Sequence, residues 1–263
     1  TFSTPVSVSG TLRYDLLTLN VANTGNAFST VDIEVDSRGN PRVVYAFNHS
    51  PDGHTARFVD TSGDADNVYL NYSENGGASW LPGDKSIVVN DSTTVGKGSG
   101  AQSRTTGFPR MVVDQRDNIF ITYVRGSSTG SGKDDIMLTK VDRETTPFTL
   151  VEVGSTANGG SKGGVRISPD GDRQTGPDIS IGTGDVLHVA YFNDANDDIE
   201  HKTLLADSWQ SVTSAGWNQD VDGADIDDFI DEATVAAIET DVRFYFPTVV
   251  VDQQSSPDKI YAV

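Results

Sequence analysis

The densest run of chemistry-bearing side chains is Asp220-Val-Asp222-Gly-Ala-Asp225-Ile-Asp227-Asp228-Phe-Ile-Asp231-Glu232. Carboxylates recurring every few residues along a turning loop suit calcium, which gathers about six to eight oxygens at about 2.3–2.6 Å. With Asp220 at the first loop position, Asp222 takes the third and Asp231 the twelfth, and helix-prone residues 232–238 follow. That order resembles EF-hand or dockerin-like loops, although Gly223 stands early and the twelfth ligand is Asp rather than Glu. Carboxylates this crowded repel one another unless a cation screens them. The competing reading is an acidic surface insertion leading into a helix whose N-terminal dipole favours the Asp residues. The expected ligands are Asp220, Asp222, Asp225 and Asp231, with calcium as the cofactor. Three other groups have similar spacing but ordinary turn composition: Asp60, Asp64 and Asp66; Asp170 and Asp172; Asp194, Asp197 and Asp198.

Other chemistries are narrowed by what the chain lacks. It contains no cysteine, which excludes disulfides, thiolate metal sites and cysteine nucleophiles. No Gly-x-Ser-x-Gly elbow occurs, and Gly159-Gly-Ser-Lys-Gly-Gly164 has no strand-to-helix setting for a nucleotide. His188 and His201 fall on adjacent expected strands and can meet, but two imidazoles do not make a zinc site. Arg42, Arg104 and Arg110 are candidates to line a pocket, and Trp80, Trp209, Trp217 and Tyr245 are either sugar-stacking rings or apolar plugs. No catalytic residue is assigned. The formal net charge of −19 repels nucleic-acid phosphates, so no nucleic-acid partner is expected. Apolar runs are too short to span a bilayer. The acidic surface and the lack of cysteine fit an exported, extracellular or cell-surface protein.

The elements that position these groups come from a repeat. Residues 30–36 with 41–47, 108–114 with 118–124, 176–182 with 186–192, and 246–252 with 259–263 carry the same pattern at a spacing of roughly 70 residues. Each copy is an apolar run, a short polar turn and an aromatic-rich strand with period-two alternation. Third strands are expected at 67–72, 135–140 and 198–203, and fourth strands at 85–89 and 148–153. The first strands read apolar on both faces, as strands sandwiched between neighbouring sheets do. The expected class is all-β: a β-propeller of four-stranded antiparallel blades, about 3.5 of them in this chain. A two-sheet sandwich or a string of small β domains is the alternative. A single domain covers 1–263, with blades at 29–91, 105–155, 176–217 and 246–263, the last incomplete. Residues 218–244 form an acidic insertion with a short helix.

Residues 1–10 read as a closing strand with nothing before it, and 259–263 as a second strand with nothing after it. The chain is therefore expected to be part of a longer protein, or to be completed by a partner's strands or by another copy. It starts at Thr1 without a leader pattern, as a processed or excised chain would.

One segment is more specific: Ser73-Glu-Asn75-Gly-Gly77-Ala-Ser79-Trp80. It resembles the Asp-box, Ser-x-Asp-x-Gly-x-Thr-Trp, of the sialidase-like BNR-repeat propellers. Ser73, Gly77 and Trp80 match, while Asn75 stands for the Asp and Ser79 for the Thr. The resemblance implies a structural box remote from any catalytic centre, and so a fold rather than sialidase activity. A sialidase of that family also uses three arginines, a Tyr/Glu nucleophile pair and an Asp acid/base. Its Arg-Ile-Pro signature is absent here, and in Phe108-Pro109-Arg110 the Arg follows the proline. The expected function is a non-catalytic propeller module for surface assembly, adhesion, or binding of a glycan or protein surface partner. Its insertions at 50–66, 91–107, 155–175 and 215–244 would form the recognition surface. A sialidase-like glycoside hydrolase, with its pocket at one mouth of the propeller, is the alternative.

Overall fold

The computed structural model describes residues 31–47, 67–81, 87–89, 107–126, 134–143, 148–150, 164–168, 174–193, 198–206, 247–253 and 259–262. Among them lie fourteen strands and no α-helix. No helix among these residues is long and apolar enough to cross a membrane.

The first blade is an antiparallel sheet in chain order: β1 (Val31–Val35), β2 (Pro41–Phe47), β3 (Asn67–Tyr72) and β4 (Ile87–Val88). The second runs β5 (Gly107–Val113), β6 (Ile119–Gly126), β7 (Asp134–Asp142) and β8 (Thr149–Leu150). Its outer edge carries a second piece, β9 (Val165–Arg166), which pairs with the other half of β7. The third blade is β10 (Gln174–Ile181), β11 (Val186–Asn193) and β12 (Asp198–Leu205); the fourth is the hairpin β13 (Val249–Asp252) and β14 (Lys259–Ala262). The first strands of successive blades lie beside one another, β1 by β5, β5 by β10 and β10 by β13. That radial order makes the chain a partial β-propeller.

Blades stack face against face through apolar cores. Val44, Leu70 and Tyr72 of the first blade pack with Met111, Ile121, Tyr123 and Met137 of the second. Phe120, Ile136 and Leu138 pack with Ile179, Val189 and Tyr191 of the third. Ala190 and Val249 join the third blade to the fourth.

The sequence pattern and the structure differ in two places. The stretch 155–175, read as an insertion loop, contains β9, so the outer strand of the second blade is built in two pieces. In addition, β1 is not apolar on both faces: Asp32 and Glu34 alternate with exposed Val31, Ile33 and Val35.

Thr122 and Thr139 are wholly buried in these cores, and their hydroxyls have no hydrogen-bond partner. An unpaired buried hydroxyl carries its desolvation cost uncompensated. Thr122→Val is therefore expected to raise stability in urea unfolding by about 1 kcal/mol; a loss of similar size would contradict this reading of the core.

Candidate functional site

Hairpin turns at one end of the blades repeat one polar device. Asp36 Oδ1 accepts the N–H groups of Arg38 (3.0 Å) and Asn40 (2.7 Å), and Oδ2 accepts the Asn40 side-chain amide (3.2 Å). In the second blade Asp114 takes the same three bonds from Arg116 and Asn118, at 2.9, 2.7 and 2.7 Å. Self-bonding Asp side chains of this kind fix tight turns. The residue three after each turn Asp has positive φ: Gly39 at 80° and Asp117 at 64°, with Asp185 at 59° in the third blade. The two Asp residues reach back to the preceding blade. Ser37 donates its N–H (2.8 Å) and hydroxyl (3.0 Å) to Asp117, and the Gln115 N–H points at Asp185 at 3.5 Å.

Beneath the first turn lies a buried ionic knot. Arg42, wholly buried, donates to Asp36 at 2.6 Å, to Glu74 at 3.3 Å and to the Ser73 carbonyl. Its guanidinium sits 5.8 Å from the Tyr72 ring and 5.3 Å from the Phe148 ring, and these two rings stack at 3.8 Å. Burial pulls Arg42 below its ordinary range, while Asp36 and Glu74 pull it back up. Burial pushes Asp36 up, but its bonds from Asn40 and the charge of Arg42 outweigh this and leave it lowered.

The segment 73–80 closes on the same knot. Ser73 Oγ donates to Asn75 Oδ1 (3.0 Å) and accepts the Asn75 and Gly77 N–H groups (3.2 and 2.9 Å). Asn75 Oδ1 accepts the Ser79 N–H (2.9 Å), and Asn75 Nδ2 donates to Ser79 Oγ (2.8 Å). Gly76 N–H donates to Asn40 (2.9 Å), which ties this turn to the first hairpin. Gly77 has φ 89°, and a Cβ added there would meet the Pro41 ring at 3.6 Å, while the buried Trp80 Nε1 has no hydrogen-bond partner.

The innermost strands carry a second set of polar side chains at one repeated position. The position four before each turn residue holds Asp32, Arg110, Asp178 and Thr248 in the four blades. Asp32 Oδ1 accepts its neighbour's N–H, from Ile33 at 3.0 Å, and Oδ2 accepts the Met111 N–H of the next blade at 2.8 Å. Asp178 Oδ2 takes the equivalent bond from Val249 at 2.8 Å. Arg110 fills the same place in the second blade and turns its guanidinium to Asp178 at 3.5 Å. Its side chain is 39% exposed, against 14% for Asp178. Burial pushes Asp178 up, against the Val249 amide and Arg110, and the nearby Asp32 charge adds to the rise. Glu34 is likewise raised by burial and by Asp32. Two carboxylates and one guanidinium, from three blades, thus share one register position, with Arg110 paired to Asp178.

The other sequence candidates fall elsewhere. Asp220, Asp222, Asp225 and Asp231 lie outside the described residues, as do Arg104, Trp209, Trp217 and Tyr245. Among the described residues no three metal-ligating side chains gather. Arg42 is committed to its buried knot, away from the partners of Arg110. His188 and His201 do meet, at 3.1 Å between ring nitrogens. A Tyr–Glu pair exists as well: buried Tyr191 donates to Glu200 at 2.5 Å, and Asn193 (2.5 Å) and Lys202 (3.5 Å) hold the same carboxylate. Of these three only Arg110 was a candidate from the sequence; Asp32 and Asp178 were missed, although aligning the repeats places all three in one column.

The fold and this column define a β-propeller module. No protein-family model matches the chain, and no curated protein sequence does. Solved structures are similar at low identity. One is a protein of unknown function from Dyadobacter fermentans (TM-score 0.43, 11% identity, covering 69% of this chain and 48% of that one). Another is a PL25 ulvan lyase (TM-score 0.38, 12% identity, 71% and 40%). A third is a GH43 endo-arabinanase from Bacillus licheniformis (TM-score 0.33, 16% identity, 77% and 56%). The chain thus spans less than half the length of the first two.

Proposed function

We propose that this chain is a non-catalytic recognition module of an exported β-propeller, binding a glycan or protein surface partner in surface assembly or adhesion. One observation carries the reading. In the ring of Asp32, Arg110 and Asp178 both carboxylates are engaged by main-chain amides, and the exposed group is the Arg110 fork. Fixed donors and acceptors at one register position suit hydroxyl-rich ligands, and a guanidinium adds bidentate recognition of a carboxylate. Arg110→Ala is expected to weaken binding on a glycan array about tenfold, since a charged hydrogen bond is worth about 1.5–3 kcal/mol. Wild-type protein that binds nothing on the array, or an Arg110→Ala protein that binds unchanged, would sink this site.

Calcium held by Asp220, Asp222, Asp225 and Asp231 belongs to the same reading, as a clamp on an acidic loop. A chelator is then expected to lower the melting temperature by several degrees, because a ligand bound only to the native state stabilises it. An identical melt with and without chelator would remove calcium from the proposal.

A second reading, a glycoside hydrolase, rests on Asp32 and Asp178 holding the same register position on two innermost strands. Glycosidases pair one protonated and one ionised carboxyl group. Turnover of fluorogenic glycosides that is lost in folded Asp178→Asn and Asp32→Asn proteins would establish it. Silence across a broad panel would leave the binding module.

A further inference from the structure

The third blade holds two imidazoles edge to edge. Alternation along β11 turns Val189 and Tyr191 toward the second blade, so His188 and Ala190 face the fourth. His188, 6% exposed, and half-buried His201 of β12 sit diagonally across the strand pair, since Thr203 lies opposite His188 and Ala190 opposite His201. Nδ1 of His188 and Nε2 of His201 are 3.1 Å apart, with ring centroids at 5.3 Å and planes 7° from parallel. The centroid distance exceeds the nitrogen gap by just the two ring radii, so both nitrogens lie on the line joining two nearly coplanar rings. That gap is too short for a metal on the same line, which needs about 2.0–2.1 Å to each nitrogen. It fits one hydrogen, as N–H···N.

From this geometry we infer that His188 and His201 form an acid-released latch between β11 and β12. One hydrogen occupies the gap whether the pair is neutral or carries one extra proton, because that proton goes to an outward nitrogen. A second extra proton puts an N–H on both facing nitrogens. The bond is then lost, and two like charges confront each other. Among the described residues one carboxylate shares this face. It is Asp178, which β10 contributes beside Ser180, and it is already bonded to the Val249 amide and paired with Arg110. Strand β12 adds Ile199, Thr203 and Leu205, and β13 adds Val249 and Val251, with Asp252 alternating to the other side. Glu200 and Lys202 lie on the opposite face, where Glu200 holds Tyr191 and Asn193, so release of β12 undoes that cluster too. The opened strand pair binds two protons and the closed pair one. The closed form is therefore fully favoured above the free imidazole value near about 6.5 and loses its advantage as the pH falls below it. Asp36 acts only below its ordinary value near about 3.9, so the two windows do not overlap.

Residue-resolved hydrogen exchange by NMR along β12, across the imidazole range, tests the latch. Protection of the β12 amides should be level above pH ~6.5 and fall about tenfold per pH unit below it, one proton taken up per opening. His201→Gln leaves a side-chain amide for His188 to bond and a single imidazole to titrate, so its protection should stay level throughout. A cooperative urea transition of that variant above the imidazole range shows that it folds. Wild-type protection that stays level through the imidazole range would overturn the inference. So would an equal fall in His201→Gln, which burial of His188 alone would produce.

Discussion

Arg42→Ala is expected to destabilise the protein by about 3–5 kcal/mol, the usual cost of leaving a buried charge without its partner. Asp36 would lose its 2.6 Å ion pair while its side chain stays fully enclosed, and the Ser73 carbonyl would lose a charged donor. The loss spreads because the knot joins three pieces of chain: the first hairpin through Asn40, the 73–79 turn, and the stacked Tyr72 and Phe148 rings. The matched control is Arg38→Ala. Arg38 is an exposed residue of the same turn that bonds Asp36 through its main-chain N–H, so less than about 0.5 kcal/mol is expected. Urea unfolding of both variants separates a buried ion pair from general charge removal. Equal effects would contradict the knot.

The same knot sets an acid limit. Asp36 is held below its ordinary carboxylate range, so its share of stability is fully present above its unfolded value near about 3.9. That share is lost as the pH falls through the lower folded value. In Asp36→Asn this acid-side loss should be absent, and a stability profile of unchanged slope below pH ~4 would count against the assignment.

Gly164→Ala is expected to cost about 3 kcal/mol or more, as overpacking against fixed backbone does. At Gly164 φ is +91°, and a Cβ would lie 2.1 Å from the Leu138 carbonyl oxygen and 2.8 Å from its carbon. These are backbone atoms of β7, so no side-chain rotation relieves the clash. Substitution would push β9 off the outer edge of the second blade and uncover Val165 and Ile167. Gly39 and Gly76 also have positive φ but open space around them, so alanine there should cost only about 1–2 kcal/mol. A thermal melt of Gly164→Ala matching those two would mean that β9 does not pack as described.

The blades could be read from the sequence because every repeat shows its hairpin locally. Strands β2 and β3 match the apolar-aromatic runs at 41–47 and 67–72, and the turn at 115–117 announces β6. What stayed hidden depends on contacts between blades. Nothing near Arg42 in sequence reveals that it is buried, because Glu74 and Ser73 lie more than a strand away. Asp32 reads as a surface carboxylate until the second blade brings the Met111 amide to it. Likewise β9 is two residues of strand within glycine-rich sequence, and its only signal is the partner edge.

Radial packing of equivalent blades is tested most directly by hydrogen exchange at two backbone amides, Met111 and Val249. Each lies on an innermost strand and donates to a carboxylate of the preceding blade, Asp32 or Asp178, rather than to its own sheet. Residue-resolved exchange by NMR should show both amides strongly protected. Asp32→Ala should selectively speed Met111 exchange, and Asp178→Ala that of Val249. Fast exchange at both amides in the wild-type chain, or protection indifferent to both substitutions, would contradict the blade-on-blade arrangement.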